Sequence, residues 1–416
     1  MKLSQTFNIK PTSSRFSFTT ALIAAPLLLS AAISSQVHAE TVSLYDYQEA
    51  TSAVDEAYFT GSFSTEDNRG AAQSAYNLDL GANLEKVFSS PDRDTSFKAD
   101  VSGNASRGSN KGDETKKTYR ASSSITVDNY FEPNSKGLFW YGKGSIAADD
   151  TFDELQTKLS AGIGYGRVVN VTPMAKAIRL MEELQKRGAI DSLPAKSVYQ
   201  EIATIINNER SYKSEHGARS KFYQQYWIGD IEKVLIRNGL VSNALSANGV
   251  LAMRDVLIDE KISVRRYGWK VRAGLAYVGR NFDGIKNKPG LELGAEYHRP
   301  INNRTQFSDE ATLTTVLDSK VDSYTFNNDM SLTYEVDDNL DWINTWGLNV
   351  NHSDFDGDNV VTNSLTSTLA YEVGNNLDLT MAAGISNSSG NDTRTAGDVE
   401  DGTDRIFNIG VRYRLR

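Results

Sequence analysis

Cysteine is absent from the 416 residues, which excludes disulfide scaffolds, thiol nucleophiles and cysteine-based zinc sites. Histidine is scarce: beyond His38, only His216, His298 and His352 occur, and no pair of them has metal-ligand spacing. Basic residues are outnumbered, 44 against 53 acidic, for a net charge of −9. Nucleic-acid binding, which needs a basic face, is therefore not expected. Long apolar runs are missing after the first forty residues and mean hydropathy is −0.44, so a helical membrane protein is excluded. No nucleophile elbow, phosphate loop or HExxH is present. What remains is a polar chain rich in Gly, Ser, Thr and Asn with 19 Tyr and 16 Phe, a β-rich composition.

The N-terminus has the form of an export signal. Lys2, Lys10 and Arg15 precede any acidic residue, Ala21–Ile33 is apolar, and Val37-His38-Ala39 is a small-x-small cleavage site. Thirteen apolar residues reach only about 20 Å as a helix, too short for an anchor. Residues 1–39 are read as a signal peptide cleaved after Ala39.

Beyond it, residues alternate. Phe407, Ile409, Val411, Tyr413 and Leu415 fall on one face, with Asn408, Gly410, Arg412, Arg414 and Arg416 on the other. Trp269, Val271, Ala273, Leu275 and Tyr277 likewise oppose Lys270, Arg272 and Gly274. A soluble sandwich and a membrane barrel both produce such alternation. The length of the segments, Tyr and Trp near their ends, and the wet composition of the second face favour the barrel. About fourteen segments are countable, twelve or sixteen if weak ones such as 304–317 are treated differently. An internal repeat, Tyr334-Glu335-Val336-Asp337-Asp338-Asn339-Leu340-Asp341 and Tyr371-Glu372-Val373-Gly374-Asn375-Asn376-Leu377-Asp378, recurs after one strand pair. It predicts two tight hairpins on the same side of the membrane. The alternate connections, such as 107–118 and 386–403, are longer and more polar.

In these features the chain resembles Gram-negative outer-membrane β-barrels of the porin-like kind. The resemblance implies an antiparallel transmembrane barrel in the cell outer membrane, in contact with its lipid and lipopolysaccharide, and used for transport. It departs from the class in ending Tyr413-Arg414-Leu415-Arg416 rather than on an aromatic residue.

The barrel is expected in two halves, 40–170 and 261–416, around a helical insert at 171–260 with 12 basic and 11 acidic residues. Thr172-Pro173 reads as an N-cap and first turn, Ser197 to Gln200 as a capping box, and about Ala218–Asn238 as a long third helix. Counting strands back from the C-terminus places the insert in the periplasm, with a lumenal plug or an extracellular domain as alternatives.

The chemistry is thin, and no enzyme, cofactor or metal is expected. Lys143, Lys158, Lys270 and Arg272 point into the lumen, with Arg120 as a further candidate. Glu292, Glu296, His298, Asp329, Glu335 and Glu372 point inward further round; facing rows of opposite sign would bias which solutes pass, although ion pairs that simply stabilise the wall are the simpler reading. His298 beside Glu292 and Glu296 could serve a membrane-embedded hydrolase, although a hydrated pore-lining residue is the simpler reading. Asp354–Asp358 could hold Ca²⁺, although a solvated turn is simpler. In the insert, His216, Arg219, Lys221, Phe222, Tyr223, Tyr226 and Trp227 form a candidate docking face for a periplasmic protein, peptidoglycan or another glycan. Two functions follow: a channel for small hydrophilic solutes, gated or plugged by the insert, or an export or assembly component whose insert recruits a partner.

Overall fold

Alternation sustained over about fifteen residues exceeds what a soluble strand needs. In the computed structural model, which describes residues 42–66, 73–218, 222–282, 284–318, 323–353, 358–374, 376–391 and 402–415, it produces fourteen strands. Before the insert these are β1 (Ser52–Glu66), β2 (Ala75–Ser89), β3 (Arg93–Arg107), β4 (Lys116–Tyr130), β5 (Leu138–Asp149) and β6 (Gln156–Asn170). After it come β7 (Arg266–Arg280), β8 (Lys286–Asn302), β9 (Thr305–Val316) and β10 (Ser323–Asp337). The last four are β11 (Leu340–Ser353), β12 (Asp358–Gly374), β13 (Leu377–Asn391) and β14 (Gly402–Arg414). Each strand pairs antiparallel with its sequence neighbours, and β1 closes on β14. Fifteen residues at about 3.3 Å, tilted about 45°, rise roughly 35 Å, enough to cross the hydrocarbon layer.

Period two then sorts the side chains. Leu159, Ile163, Leu275, Leu293, Leu365 and Ile409 stand exposed on the outside, where lipid is their solvent. Tyr165 and Trp269 pack against each other in the outer aromatic belt, ring centres 5.8 Å apart. The segment at 304–317, whose alternation is poor, is nonetheless a strand, because Leu293 and Leu332 on its two neighbours align with Leu313 and Phe307.

Both repeat hairpins turn at one end of the barrel. In each, the register shifts at the turn, between Glu335 and Asp337 and between Glu372 and Gly374, and Asn376 sits at φ 70°. Two two-residue turns, 303–304 and 338–339, and the close of β12 onto β13 share this end with the insert. Longer connections, such as 108–115 and 150–155, are at the other end.

The insert between β6 and β7 comprises α1 (Thr172–Lys186), α2 (Lys196–Asn207), α3 (Glu209–His216), α4 (Tyr223–Arg237) and α5 (Ala247–Arg254), then a π-helical turn, Asp255–Asp259. Met174, Leu180, Leu184, Ile202, Trp227, Ile231 and Met253 form its core. Leu44 and Tyr47 from the N-terminal segment, with Val169 and Val171 at the end of β6, join that core and tie it to the wall.

Three local expectations are corrected. Thr172 is inside α1 rather than its cap, and its hydroxyl donates to Asn170. The capping box is not formed, because α2 starts at Lys196 and the Gln200 amide donates instead to the Asp46 carbonyl. The long third helix is shorter at its start. Gly217, at φ 85°, ends α3, and α4 begins at Tyr223. α3 escaped detection because it buries no residue and so has no apolar stripe.

Trp227 is fully buried and its indole N–H donates to the Ile205 carbonyl at 2.8 Å. Trp227→Ala should cost the insert about 3–5 kcal/mol. Limited proteolysis should then cut residues 172–259 while the barrel still migrates as a heat-modifiable band. Simultaneous loss of that band would show that insert and wall unfold as one unit.

Candidate functional site

Charges taken into a lumen must find partners or water, because burying an unpaired ion is costly. On β5, β6 and β8, Lys143 and Lys158 both reach Glu292, at 3.4 and 2.6 Å. On β7, Lys270 and Arg272 both reach Asp128 of β4, at 3.1 and 2.7 Å, and both also pair with Glu296 of β8. His298 is buried beside this cluster, its Nδ1 3.0 Å from the Ser308 hydroxyl.

Two further pairs cross the lumen. Lys98 of β3 reaches Glu310 of β9 at 2.7 Å, and Arg266 of β7 reaches Glu85 of β2 at 2.8 Å. These strands are five or six positions apart around a ring of fourteen, so they stand nearly opposite. A round barrel of fourteen strands about 4.8 Å apart, tilted about 40°, would be roughly 28 Å across. An extended Lys–Glu pair spans only about half of that. The barrel is therefore flattened at this level, and the pairs form a constriction. At the loop end the lumen face of β9 to β13 changes character and carries Thr312, Thr314, Asn327, Asn349, Thr362, Ser364, Ser386 and Ser388, while Asp79, Arg120 and Asp149 keep charge on the opposite side.

The insert end is covered. In the repeat, Glu335 lies directly opposite Asp341, and Glu372 directly opposite Asp378, so each hairpin carries a pair of acids on the inner rim. Cations from the insert meet them. Arg179 of α1 bridges Glu335 and Glu260. Arg265 lies 2.7 Å from Glu335, which also accepts from the Ser263 backbone N–H at 3.0 Å. Lys261 reaches Glu372 at 3.2 Å and Asp378 at 3.1 Å, and Arg412 of β14 shares Asp378 at 2.8 Å. Burial alone would depress Arg179, but the Glu335 and Glu260 carboxylates outweigh it and hold its pKa above the ordinary value. Burial pushes Glu260 up in spite of Arg179. Beneath this cover lies a cavity of about 280 Å³ lined by Tyr58, Glu85, Lys261, Arg266, Asp341 and Arg414, among others.

The structure thus brings Lys143, Lys158, Lys270, Arg272, Glu292 and Glu296 into direct ion pairs rather than into two facing rows. Arg120 pairs with Asp149 on the neighbouring strand at 2.6 Å. Asp329 faces the lumen, exposed, with no ion pair among the described residues. Glu335 and Glu372 are anchors for the insert. Of the docking candidates, Tyr223 and Trp227 belong to the insert core. Phe222 and Tyr226 are exposed, with the His216 ring stacked on Tyr226 at 3.9 Å. Arg219, Lys221 and Asp354–Gly357 lie outside the described residues, as does the signal segment. Sequence reading missed Asp128, Glu310 and Lys98, whose inward faces period two reveals but whose partners lie across the lumen. It also missed Arg179, Lys261 and Arg265, which obey no strand period.

A family described as a protein of unknown function, DUF481, matches residues 257–373. No curated protein matches the chain. Among solved structures, an outer membrane channel from Pseudomonas putida F1 is similar at 9% identity, TM-score 0.33, over 91% of this chain and 99% of that one. An anion-selective porin from Comamonas acidovorans is similar at 9% identity, TM-score 0.32, over 88% and 100%. The β domain of the Bordetella autotransporter BrkA is similar at 6% identity, TM-score 0.29, over 88% and 99%. These likenesses are of class only; the closed barrel itself carries the assignment of fold.

Glu335→Ala would leave Arg179 and Arg265 facing one another without their shared acid. The docked insert should lose about 3–5 kcal/mol, the cost of breaking a buried pair from one side. Hydrogen exchange across 257–266 should accelerate accordingly. Asp329→Ala, on the same strand, should change that exchange by no more than about 0.5 kcal/mol.

Proposed function

We propose that this protein is an outer-membrane channel for small hydrophilic solutes, with the helical insert as a gate on the periplasmic mouth. The observation that carries the reading is the docking of Arg179, Lys261 and Arg265 onto the rim acids Glu335, Glu372 and Asp378. The wall they cover belongs to a polar lumen. The orientation rests on the short turns sharing the insert's end, which in barrels of this class face the periplasm.

Ion pairs suit a gate better than an apolar plug would. Each cation is held by a carboxylate that water can also solvate, so breaking the rim contacts exchanges one polar environment for another. The hydroxyl and amide lining that β9 to β13 contribute at the loop end gives little preference for either sign of solute. Discrimination then falls to the constriction at Lys98–Glu310 and Arg266–Glu85, which sorts first by size.

A second reading is favoured by one observation. Phe222 and the Tyr226–His216 stack are exposed on the insert, and stacked aromatics suit a sugar ring or a protein partner. On this reading the insert recruits an export or assembly component, and the barrel is its conduit.

Planar-bilayer recording tests the gate. The wild-type protein should rest in a state of low conductance. Glu335→Gln combined with Glu372→Gln should give frequent larger steps, and deletion of Pro173–Asp259 should give steady ones. A wild-type protein conducting as freely as the deletion variant sinks the gating reading. The partner reading then becomes the better one if deletion abolishes export while conductance is unchanged.

A further inference from the structure

Backbone hydrogen bonds close most of this wall without a break. β1 pairs with β2 from Ser52 to Glu66 in continuous register, and β14 pairs with β13 from Gly402 to Tyr413. The seam where β1 meets β14 differs. It holds four rungs, Tyr58↔Arg414, Phe59↔Tyr413, Thr60↔Arg412 and Gly61↔Val411, and at the insert end the Leu415 N–H donates to the Ala57 carbonyl at 2.8 Å. Continued toward the loops, the register would set Phe63 opposite Ile409 and Glu66 opposite Ile406. Among the described residues none of these rungs is made.

The strands part just beyond the fourth rung. Gly410 still lies so close to β1 that a Cβ on it would sit 2.8 Å from the Gly61 carbonyl oxygen. The Asn408 amide still donates to the Ser62 hydroxyl at 3.1 Å. Past that point Phe63, Phe407 and Ile409 are exposed on the outer face. Ile406 points the other way, since it shares a rung with Gly384, whose partner on β12 is Thr366. It is 58% exposed, an apolar side chain offered to the lumen at the lip of the unpaired stretch.

We propose that the loop-end half of the β1–β14 seam is a lateral opening that admits the hydrocarbon chain of an amphipathic lipid, whose polar head stays in the lumen. Unpaired strand edges are not tolerated against hydrocarbon alone, but they are tolerated where water from a cavity reaches them. A polar lumen behind the gap supplies that water. The gap itself is flanked by Phe63, Phe407 and Ile409 outside and Ile406 inside, apolar side chains on both faces that a charged or sugar-like solute would not need. The four rungs at the insert end act as the hinge, so the opening is confined to the leaflet on the loop side. This route is separate from the gated mouth, and its test reads the seam rather than conductance.

The chain has no cysteine, so introduced pairs report without background. In the full-length protein reconstituted in vesicles, F59C/Y413C and F63C/I409C place thiols on the same two strands and the same outer face. The first pair should oxidise to a disulfide nearly completely. The second should link only through a long bis-maleimide. Separately, bimane on I406C should be quenched by phosphatidylcholine with brominated acyl chains at least about twofold more than bimane on T366C. Efficient disulfide formation by F63C/I409C would overturn the proposal by showing a closed seam. Equal quenching at 406 and 366 would also overturn it, since the gap would then take no acyl chain and a partner strand would be the better occupant.

Discussion

Inside a bilayer no water is available to an unpaired N–H or C=O, so every backbone polar group must be met by another. That requirement closes β1 on β14 and orders fourteen strands in sequence around one ring. Where the requirement is relaxed, at the loop end of the β1–β14 seam, the relaxation is confined to a few residues and backed by a polar lumen. One interaction therefore accounts for both the continuity of the barrel and the meaning of its one short seam.

Charge follows the same logic on the inner face. Lys270 and Arg272 are tolerated in the wall because Asp128 and Glu296 meet them. Lys98 and Arg266 are tolerated because the barrel flattens until Glu310 and Glu85 come within reach. The rim acids of the two repeat hairpins are met from outside the wall, by the insert. A repeat whose visible content is turn chemistry thus also carries the anchoring groups. Glu335 with Asp341 and Glu372 with Asp378 are set opposite each other by the same two hairpins, and like charges so placed call for cations. Arg179, Lys261 and Arg265 supply them, which binds the position of the helices to the geometry of two hairpins.

Much of this was legible in the chain. The faces of Trp269 to Tyr277 and of Phe407 to Leu415, the hairpins at Asp338 and Asn376, and the helical character of 171–260 follow from periodicity and turn residues. These are local properties, set within a few residues of each position. The inward direction of Glu292, Glu335 and Glu372 follows in the same way. What they touch does not. Gln200 shows the limit at close range: its spacing from Ser197 fits a capping box, yet its amide is drawn to the Asp46 carbonyl, because the N-terminal segment packs against α2.

The sequence by itself therefore determined the strands, their two faces, the ring they must form in lipid and the block of helices, because alternation, length and turn chemistry act locally. Only the tertiary structure decided that the barrel is flattened, that the lumen charges are paired rather than arrayed, that the insert sits on the rim, and that one seam is short. Each of these depends on distances between residues far apart in the chain. Such distances are fixed by the balance between desolvating charges and pairing them across a closed wall, a balance that no single segment carries.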